Sequence, residues 1–176
     1  MDIDRGTSLG LIVNFGVLDH MRLVTLTTDF GTQDGYVASL KGALYSTQSS
    51  LQLVDLVHDI DPYDIVVGAL FLKQAVDNFP AKSIHIAAVD VLYDAYGSLL
   101  IGNKDGHIVI APNNGMLSLL GYDDQDQVYL SEFVYEGFDG YLKGIQQIVG
   151  QIIADKPVDK IGTIYPGHKR RFDLQA

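Results

Sequence analysis

The chain has 176 residues, a formal net charge of −10, 47% apolar residues, only 12 lysines and arginines, and no cysteine. A chain of this size suits one domain, with room for the start of another, and can bury roughly two-thirds of its unfolded surface. Its acidity argues against nucleic acid, since nothing would neutralise phosphates, and the missing thiols exclude disulfides, thiolate catalysis and Cys-ligated metals.

Residues 1–20 carry acid where a signal peptide needs base, and Asn14 and Gly16 interrupt their apolar stretch. They read as an upstream extension with no assigned role, with Met21 a more natural start. No apolar run reaches the length of a membrane span. From Arg22 the hydrophobic periodicity alternates between strand and helix. Arg22 to Thr27 is the first strand. Tyr36 to Tyr45 is a helix with Val37, Leu40, Ala43 and Leu44 on one side. Leu51 to Val57 is the second strand. Asp64 caps a helix that runs to about Asn78 and is expected to bury Val67, Leu70, Phe71 and Ala75. Ser83 to Val89 is the third strand.

Leu99 to Gly102 and His107 to Ala111 flank Asn103-Lys104-Asp105-Gly106, a hairpin signature built on the Asp-Gly turn. Pro112-Asn113-Asn114-Gly115 turns the chain into a short helix from Met116 to Leu120, with a backbone position at positive φ expected in that turn. Asp139 to Ala154 is the last long helix. A βαβ series with an added hairpin predicts an α/β fold, a three-layer sandwich with a mostly parallel sheet. Residues 21–164 form this domain, and the Pro/Gly-containing, basic segment 165–176 reads as a linker toward a further domain.

In such sheets ligands bind outside the carboxyl ends of the strands. Four strand-end loops should meet there: Asp29 to Gly35, His58 to Tyr63, Asp90 to Gly97 and Pro112 to Gly115. Asp29 follows the first strand within Thr27-Thr28-Asp29-Phe30-Gly31-Thr32-Gln33-Asp34-Gly35-Tyr36-Val37. Its carboxylate can accept two charge-assisted hydrogen bonds from a vicinal diol such as ribose; the plainer alternative is a turn cap. Asp34 adds a second acid to the same loop. Tyr63 offers an aromatic face for a base or a cation. Asp90 closes the third strand, so it should project at the same edge, with Tyr93 and Tyr96 nearby. His58 reads as structural. The five histidines are scattered without metal-ligand spacing, and no Walker loop or Gly-x-Gly-x-x-Gly is present.

Taken together, Thr28-Asp29-Phe30-Gly31, Asp34-Gly35-Tyr36-Val37, Lys41-Gly42, Asp55-Leu56-Val57-His58-Asp59-Ile60-Asp61-Pro62, Phe79-Pro80 and Ala111-Pro112-Asn113-Asn114-Gly115 resemble the S-adenosyl-L-methionine hydrolase family. That family is also called hydroxide adenosyltransferase and is related to the fluorinating and chlorinating enzymes. The resemblance covers Arg22 to about Pro166 and is looser after Tyr122. It implies hydrolysis of S-adenosyl-L-methionine to adenosine and L-methionine, by attack of water at the ribose 5′ carbon. S-adenosyl-L-methionine would be the substrate; no cofactor and no metal are implied.

By resemblance, Asp29 holds the ribose hydroxyls, and Asp34, Gly35 and Tyr36 adjoin them. Tyr63 lies beside the ribose and the reacting carbon, and Asp90 is the catalytic carboxylate that orients the water and takes up its proton. A cytoplasmic homotrimer is implied if a β-rich C-terminal domain is present, the ligand lying between neighbouring subunits, with no nucleic acid and no membrane as partner. Three features depart from the family pattern. Val91-Leu92-Tyr93 follows Asp90 in place of Pro-Gly-Val, and no arginine occurs between Arg22 and Arg170. The family's histidine aligns with Glu136 in Tyr135-Glu136-Gly137-Phe138-Asp139. These departures keep open a second reading, a non-catalytic adenosine-binding or assembly subunit.

Overall fold

Leu23-Val24-Thr25-Leu26-Thr27-Thr28 combines leucine with β-branched valine and threonine and has no charged residue, and a strand of that kind suits cover on both faces. In the computed structural model, which describes residues 22–91, 97–123 and 125–166, it forms β1 (Leu23–Thr28), central and almost wholly buried. β1 pairs in parallel with β2 (Gln52–Val57) and with β3 (Ile84–Ala88). β3 in turn pairs in parallel with β5 (His107–Pro112). β4 (Gly97–Lys104) runs antiparallel to β5, and the two join through Asp105 at φ 52° and Gly106 at φ 80°. Two consecutive left-handed residues are what a tight two-residue hairpin requires, and Asp-Gly supplies them.

The sheet continues antiparallel through β6 (Gln127–Tyr135) to β7 (Gly162–Ile164), giving the order β2-β1-β3-β5-β4-β6-β7. It is therefore parallel from β2 to β5 and antiparallel from β5 to β7. Helix α1 (Tyr36–Thr47) and helix α4 (Gly137–Ile153) cover one face, where Leu40, Leu44, Tyr141, Ile145 and Ile148 share a core with Leu26 and Ile86. Helix α2 (Ile65–Asn78) and the short α3 (Met116–Leu119) cover the other, packing Leu72, Met116 and Leu117 on Ala87 and Val109. This is the expected three-layer α/β sandwich. α4 is the most regular helix: Tyr141, Gly144, Ile145, Ile148, Val149 and Ile152 recur at helical spacing and are all buried.

The expected buried face of α2 needs correction. Gly68, Ala69, Leu72 and Ala75 face inward, whereas Leu70 is 61% and Phe71 38% exposed, and Val67 is only partly buried. The cause is Gly68: a Cβ there would lie 3.1 Å from Val89 and 3.2 Å from Met116. The helix docks on its small residues, which turns Leu70 and Phe71 to the outside. β6, β7 and a 3₁₀ turn (Val158–Lys160) were not anticipated from sequence. α4 also starts two residues before the expected Asp139.

Tyr165, placed by sequence in the linker, donates its N–H to the Val128 carbonyl and packs on the second core. The extension 1–20, Tyr93, Tyr96 and residues 167–176 lie outside the described residues. Among the described residues no helix is long and apolar enough to cross a membrane.

The strand order fixes where a site belongs. From β1 the chain passes to β2 on one side, while β3 lies on the other. The crevice between the β1 and β3 exits is thus the topological switch point of the parallel half.

Candidate functional site

Asp29 leaves β1 and Asp90 leaves β3, so two carboxylates stand side by side at that switch point. Between them lies a cleft of about 140 Å³ lined by Asp29, Phe30, Tyr36, Pro62, Tyr63, Asp90 and Val91. Four of the six residues singled out from sequence meet there: Asp29, Tyr36, Tyr63 and Asp90. Asp34 and Gly35 do not line it. Asp34 instead accepts the Tyr36 N–H at 3.1 Å and starts α1, with Gly35 at the cap position. Phe30, Pro62 and Val91 had no signal of their own in the sequence beyond their neighbours.

The Asp29 carboxylate is the hub of the cleft. Its Oδ2 accepts the Tyr63 N–H at 3.2 Å and the Asp90 N–H at 3.0 Å. A carboxylate oxygen has two acceptor sites, so these two bonds fill Oδ2. Among the described residues Oδ1 accepts no hydrogen bond, and its two sites remain for donors of a ligand. Asp29 is therefore more than a turn cap: it fastens three strand-exit loops together.

Both donors sit in left-handed backbone, Tyr63 at φ 70° and Asp90 at φ 59°. For a non-glycine residue this costs of order 1–3 kcal/mol and persists only where the surroundings over-determine it. Here the surroundings are explicit. The Asp61 carbonyl accepts the Asp64 N–H at 3.0 Å, and the Asp64 side chain caps α2 through the Val67 N–H at 3.0 Å. Two local bonds thus close the turn that presents Tyr63, which is 57% exposed. On the Asp90 side, the Val89 carbonyl accepts the Asn114 side-chain amide at 3.1 Å.

A second set of contacts holds the first loop. Thr28 Oγ1 lies 2.9 Å from His58 Nδ1 and accepts the Phe30 N–H at 3.4 Å, while the Gly31 N–H donates to the His58 carbonyl at 2.7 Å. His58 Nε2 stands 3.0 Å from Asp55 Oδ1. Lys41 reaches the other Asp55 oxygen at 2.5 Å. Burial alone would raise the Asp55 carboxyl, but its contacts with Lys41 and His58 outweigh that and hold it below the usual range. Thr28 and His58 are buried. This Thr-His-Asp row is therefore a strut under the loop rather than a nucleophile.

The α4 side of the cleft is aromatic. Phe138 meets Tyr36 edge-on at 4.6 Å and Phe30 at 5.5 Å between ring centres. Such T-shaped pairs add roughly 0.5–1.5 kcal/mol each beyond simple burial. They brace two lining rings from a helix some hundred residues away. Tyr141, one turn further along α4, is fully buried and its hydroxyl has no hydrogen-bond partner among the described residues. Burial, with Tyr135 and the Asp29 charge adding to it, pushes that hydroxyl well above its ordinary range.

A larger cavity of about 400 Å³ opens at the opposite end of the strands, lined in part by Arg22, Asn103, Gln127 and Asp155. Arg22 there is engaged by Asp155 at 2.6 Å. No group of three or more His, Cys, Asp or Glu side chains that could hold a metal ion occurs among the described residues.

Comparison with known proteins agrees with this geometry. Residues 24–136 match the family model of the SAM hydroxide adenosyltransferase N-terminal domain. The (R)-S-adenosyl-L-methionine hydrolase of Methanocaldococcus jannaschii is 33% identical over 115 residues, covering 62% of this chain and 42% of that protein. The enzyme of the same name from Salinispora tropica is 35% identical over 95 residues, covering 53% and 36% respectively. The chain thus spans less than half the length of these relatives. A conserved hypothetical protein from Thermus thermophilus has the same fold, with a TM-score of 0.66 at 24% identity over 83% of this chain and 59% of that one. With the family model spanning well over half of the sequence, including the Asp29 loop and Asp90, the chain belongs to the SAM hydroxide adenosyltransferase family through its N-terminal domain.

Proposed function

We propose that this chain forms the adenosyl-binding part of an enzyme that hydrolyses S-adenosyl-L-methionine to adenosine and L-methionine. The observation that carries the reading is the Asp29 carboxylate. One oxygen is fixed by two backbone N–H groups, and the other is left to accept at a cleft shared with Asp90. Two adjacent hydroxyl donors on a sugar suit the two open sites of Oδ1, and charge-assisted bonds of this kind are about twice as strong as neutral ones.

In this mechanism water attacks the ribose 5′ carbon, a C–O bond forms, and the C–S bond breaks. The sulfonium sulfur leaves as a neutral thioether within methionine, and the proton of the attacking water is released. A sulfonium is already a good leaving group, so the chain's contribution is placement and exclusion of solvent rather than leaving-group activation. Asp90 orients the water and receives its proton. Tyr63 and Tyr36 cover the ribose and the reacting carbon; their ring faces also suit a positively charged sulfur. Asp34 and Gly35 act indirectly, by seating Tyr36 at the start of α1.

The cleft of about 140 Å³ falls below the roughly 300–1,000 Å³ typical of small-molecule sites. A second surface is needed to enclose a whole adenosyl ligand, and a β-rich domain of a neighbouring subunit in a homotrimer fits that need. The alternative, a binding or assembly subunit without turnover, is favoured by two departures from the family pattern. By the resemblance, Glu136, an exposed residue at the start of α4, stands where the family has its histidine, and no arginine lies between Arg22 and Arg170. Incubating the full chain with S-adenosyl-L-methionine and separating the products by chromatography decides between them. Equal amounts of adenosine and methionine are expected; no adenosine from a chain that still binds adenosine would establish the alternative.

A further inference from the structure

The geometry points to Asn114 as a positioning residue for Asp90, acting through the single peptide group that joins Val89 to Asp90. Both polar atoms of that peptide are held by side chains. Its N–H donates to Asp29 Oδ2 at 3.0 Å, and its carbonyl accepts Asn114 Nδ2 at 3.1 Å. The two clamps come from different elements, the β1 exit and the turn between β5 and α3. Together they fix the orientation of one peptide plane, and that orientation sets the φ of 59° at Asp90. Left-handed backbone is uncommon for any non-glycine residue, even for aspartate, which tolerates it better than most, and the two clamps account for it here.

Only one orientation of the Asn114 side chain serves this role. Its Oδ1 accepts the Met116 N–H at 3.2 Å, while its Nδ2 faces the Val89 carbonyl. A donor on one side and an acceptor on the other assign the amide without ambiguity. The turn that carries it is itself anchored. The Asn113 N–H donates to the Ser98 carbonyl at 3.0 Å, the Asn113 amide reaches the Tyr165 hydroxyl at 3.2 Å, and Gly115 takes the φ of 98° that closes the turn. Val89 is completely buried, so the carbonyl cannot turn to water instead. Without Asn114 only the Asp29 clamp remains and the buried Val89 carbonyl loses its donor, so the peptide plane is held from one side alone, the Asp90 N–H bond loosens and the Asp90 carboxylate loses its fixed register with the cleft.

Only the activity arm of the test rests on the proposed reaction. Asn114→Asp keeps the acceptor for the Met116 N–H but sets a carboxylate oxygen against the Val89 carbonyl. In the full chain, amide hydrogen exchange at Asp90 is expected to quicken at least about tenfold while Ala87, nearby on β3, is unchanged. With S-adenosyl-L-methionine, kcat is expected to fall at least about tenfold and KM to change less than about threefold. Lowering the pH protonates the new carboxyl and restores a donor, so part of the loss, relative to the unaltered chain at the same pH, is recovered. Asn114→Ala provides the same exchange readout if the first variant does not fold. Unchanged exchange at Asp90 in a folded variant overturns the proposal. Faster exchange in a chain that never turns substrate over sinks the reaction reading and leaves the positioning role standing.

Discussion

Replacing Asp29 separates two jobs that one carboxylate performs. Asp29→Ala deletes the acceptor for the Tyr63 and Asp90 N–H groups. Hydrogen bonds to a charged group are worth about 1.5–3 kcal/mol each, but Tyr63 is more than half exposed, so its bond belongs below that range. The sum is about 2–4 kcal/mol, and at about 2–4 °C per kcal/mol for a chain of this size the melting temperature should drop by roughly 5–15 °C. Asp29→Asn behaves differently. Its single carbonyl oxygen must face the two N–H groups, so the fold loses only the charge assistance, about 1–2 kcal/mol. Its amide nitrogen then faces the cleft and offers donors where a diol also offers donors. Both variants are therefore expected to lose about 1–3 kcal/mol of adenosine affinity, while only alanine melts much earlier. Thermal unfolding paired with titration calorimetry reads both quantities. An asparagine variant that binds adenosine as well as the unaltered chain would refute the reasoning.

The histidine pair at the other end of the sheet predicts a pH dependence. Burial, aided by the neighbouring His107, lowers His85 from 6.5 to about 4. The folded chain therefore resists a proton that the unfolded chain accepts, and stability complete above pH 6.5 should fall by roughly 3 kcal/mol as the pH drops from there to about 4. Urea unfolding of the chain and of His85→Gln across that window checks this, since the variant should show a shallower decline. Gly102→Ala would place a Cβ 2.6 Å from the buried Tyr122 ring, so the urea midpoint should fall by an amount worth about 1–3 kcal/mol; an unmoved midpoint would show that the ring swings clear. Leu70→Glu alters a side chain that is mostly in solvent. It should change the stability of the isolated subunit by less than about 0.5 kcal/mol, as measured by denaturant titration at low protein concentration.

How far the site was legible follows from the range of its contacts. Asp29 and Asp90 could be read from sequence because each directly follows an apolar strand, and strand exits share one edge of a parallel sheet. The bonds that organise them could not. Oδ2 of Asp29 joins residues 34 and 61 positions away in the chain, and no local pattern encodes a contact between two loops. Asn114 was seen only as part of a turn, which is true of its backbone; the target of its amide, 25 positions back, depends on where β5 lies beside β3. Phe138 likewise acquires its place against Tyr36 only once α4 has packed beside α1.

The same distinction explains the fold. The hairpin turn was explicit in Asp105-Gly106, and the capping role of Asp64 was visible beside the start of α2. The buried side of α2 was misjudged because hydrophobicity alone favours Leu70 and Phe71, whereas close approach to Val89 and Met116 favours Gly68. β6 did carry a signal, the run Val128-Tyr129-Leu130 followed by Phe133-Val134-Tyr135. It was obscured by Ser131 and Glu132 in the middle, where the strand faces alternate between core and solvent.

The misjudged helix face also bears on the site. Tyr63 lies just before α2, and Val66, Leu70 and Phe71 continue from it along the helix as a row of exposed apolar side chains. Single exposed apolar residues need no explanation, but a row of them beside a cleft marks a surface that gains by being covered. The cleft has the complementary deficiency: two rigid acids and an aromatic wall, yet less than half the volume of an ordinary ligand pocket. On the proposed trimeric reading, a neighbouring subunit laid along Tyr63 and α2 would close the pocket and shelter the apolar row in one step. On the proposed reaction that closure has a chemical purpose. The water that attacks carbon must be the one Asp90 holds, and competing solvent is excluded only when the open side is shut.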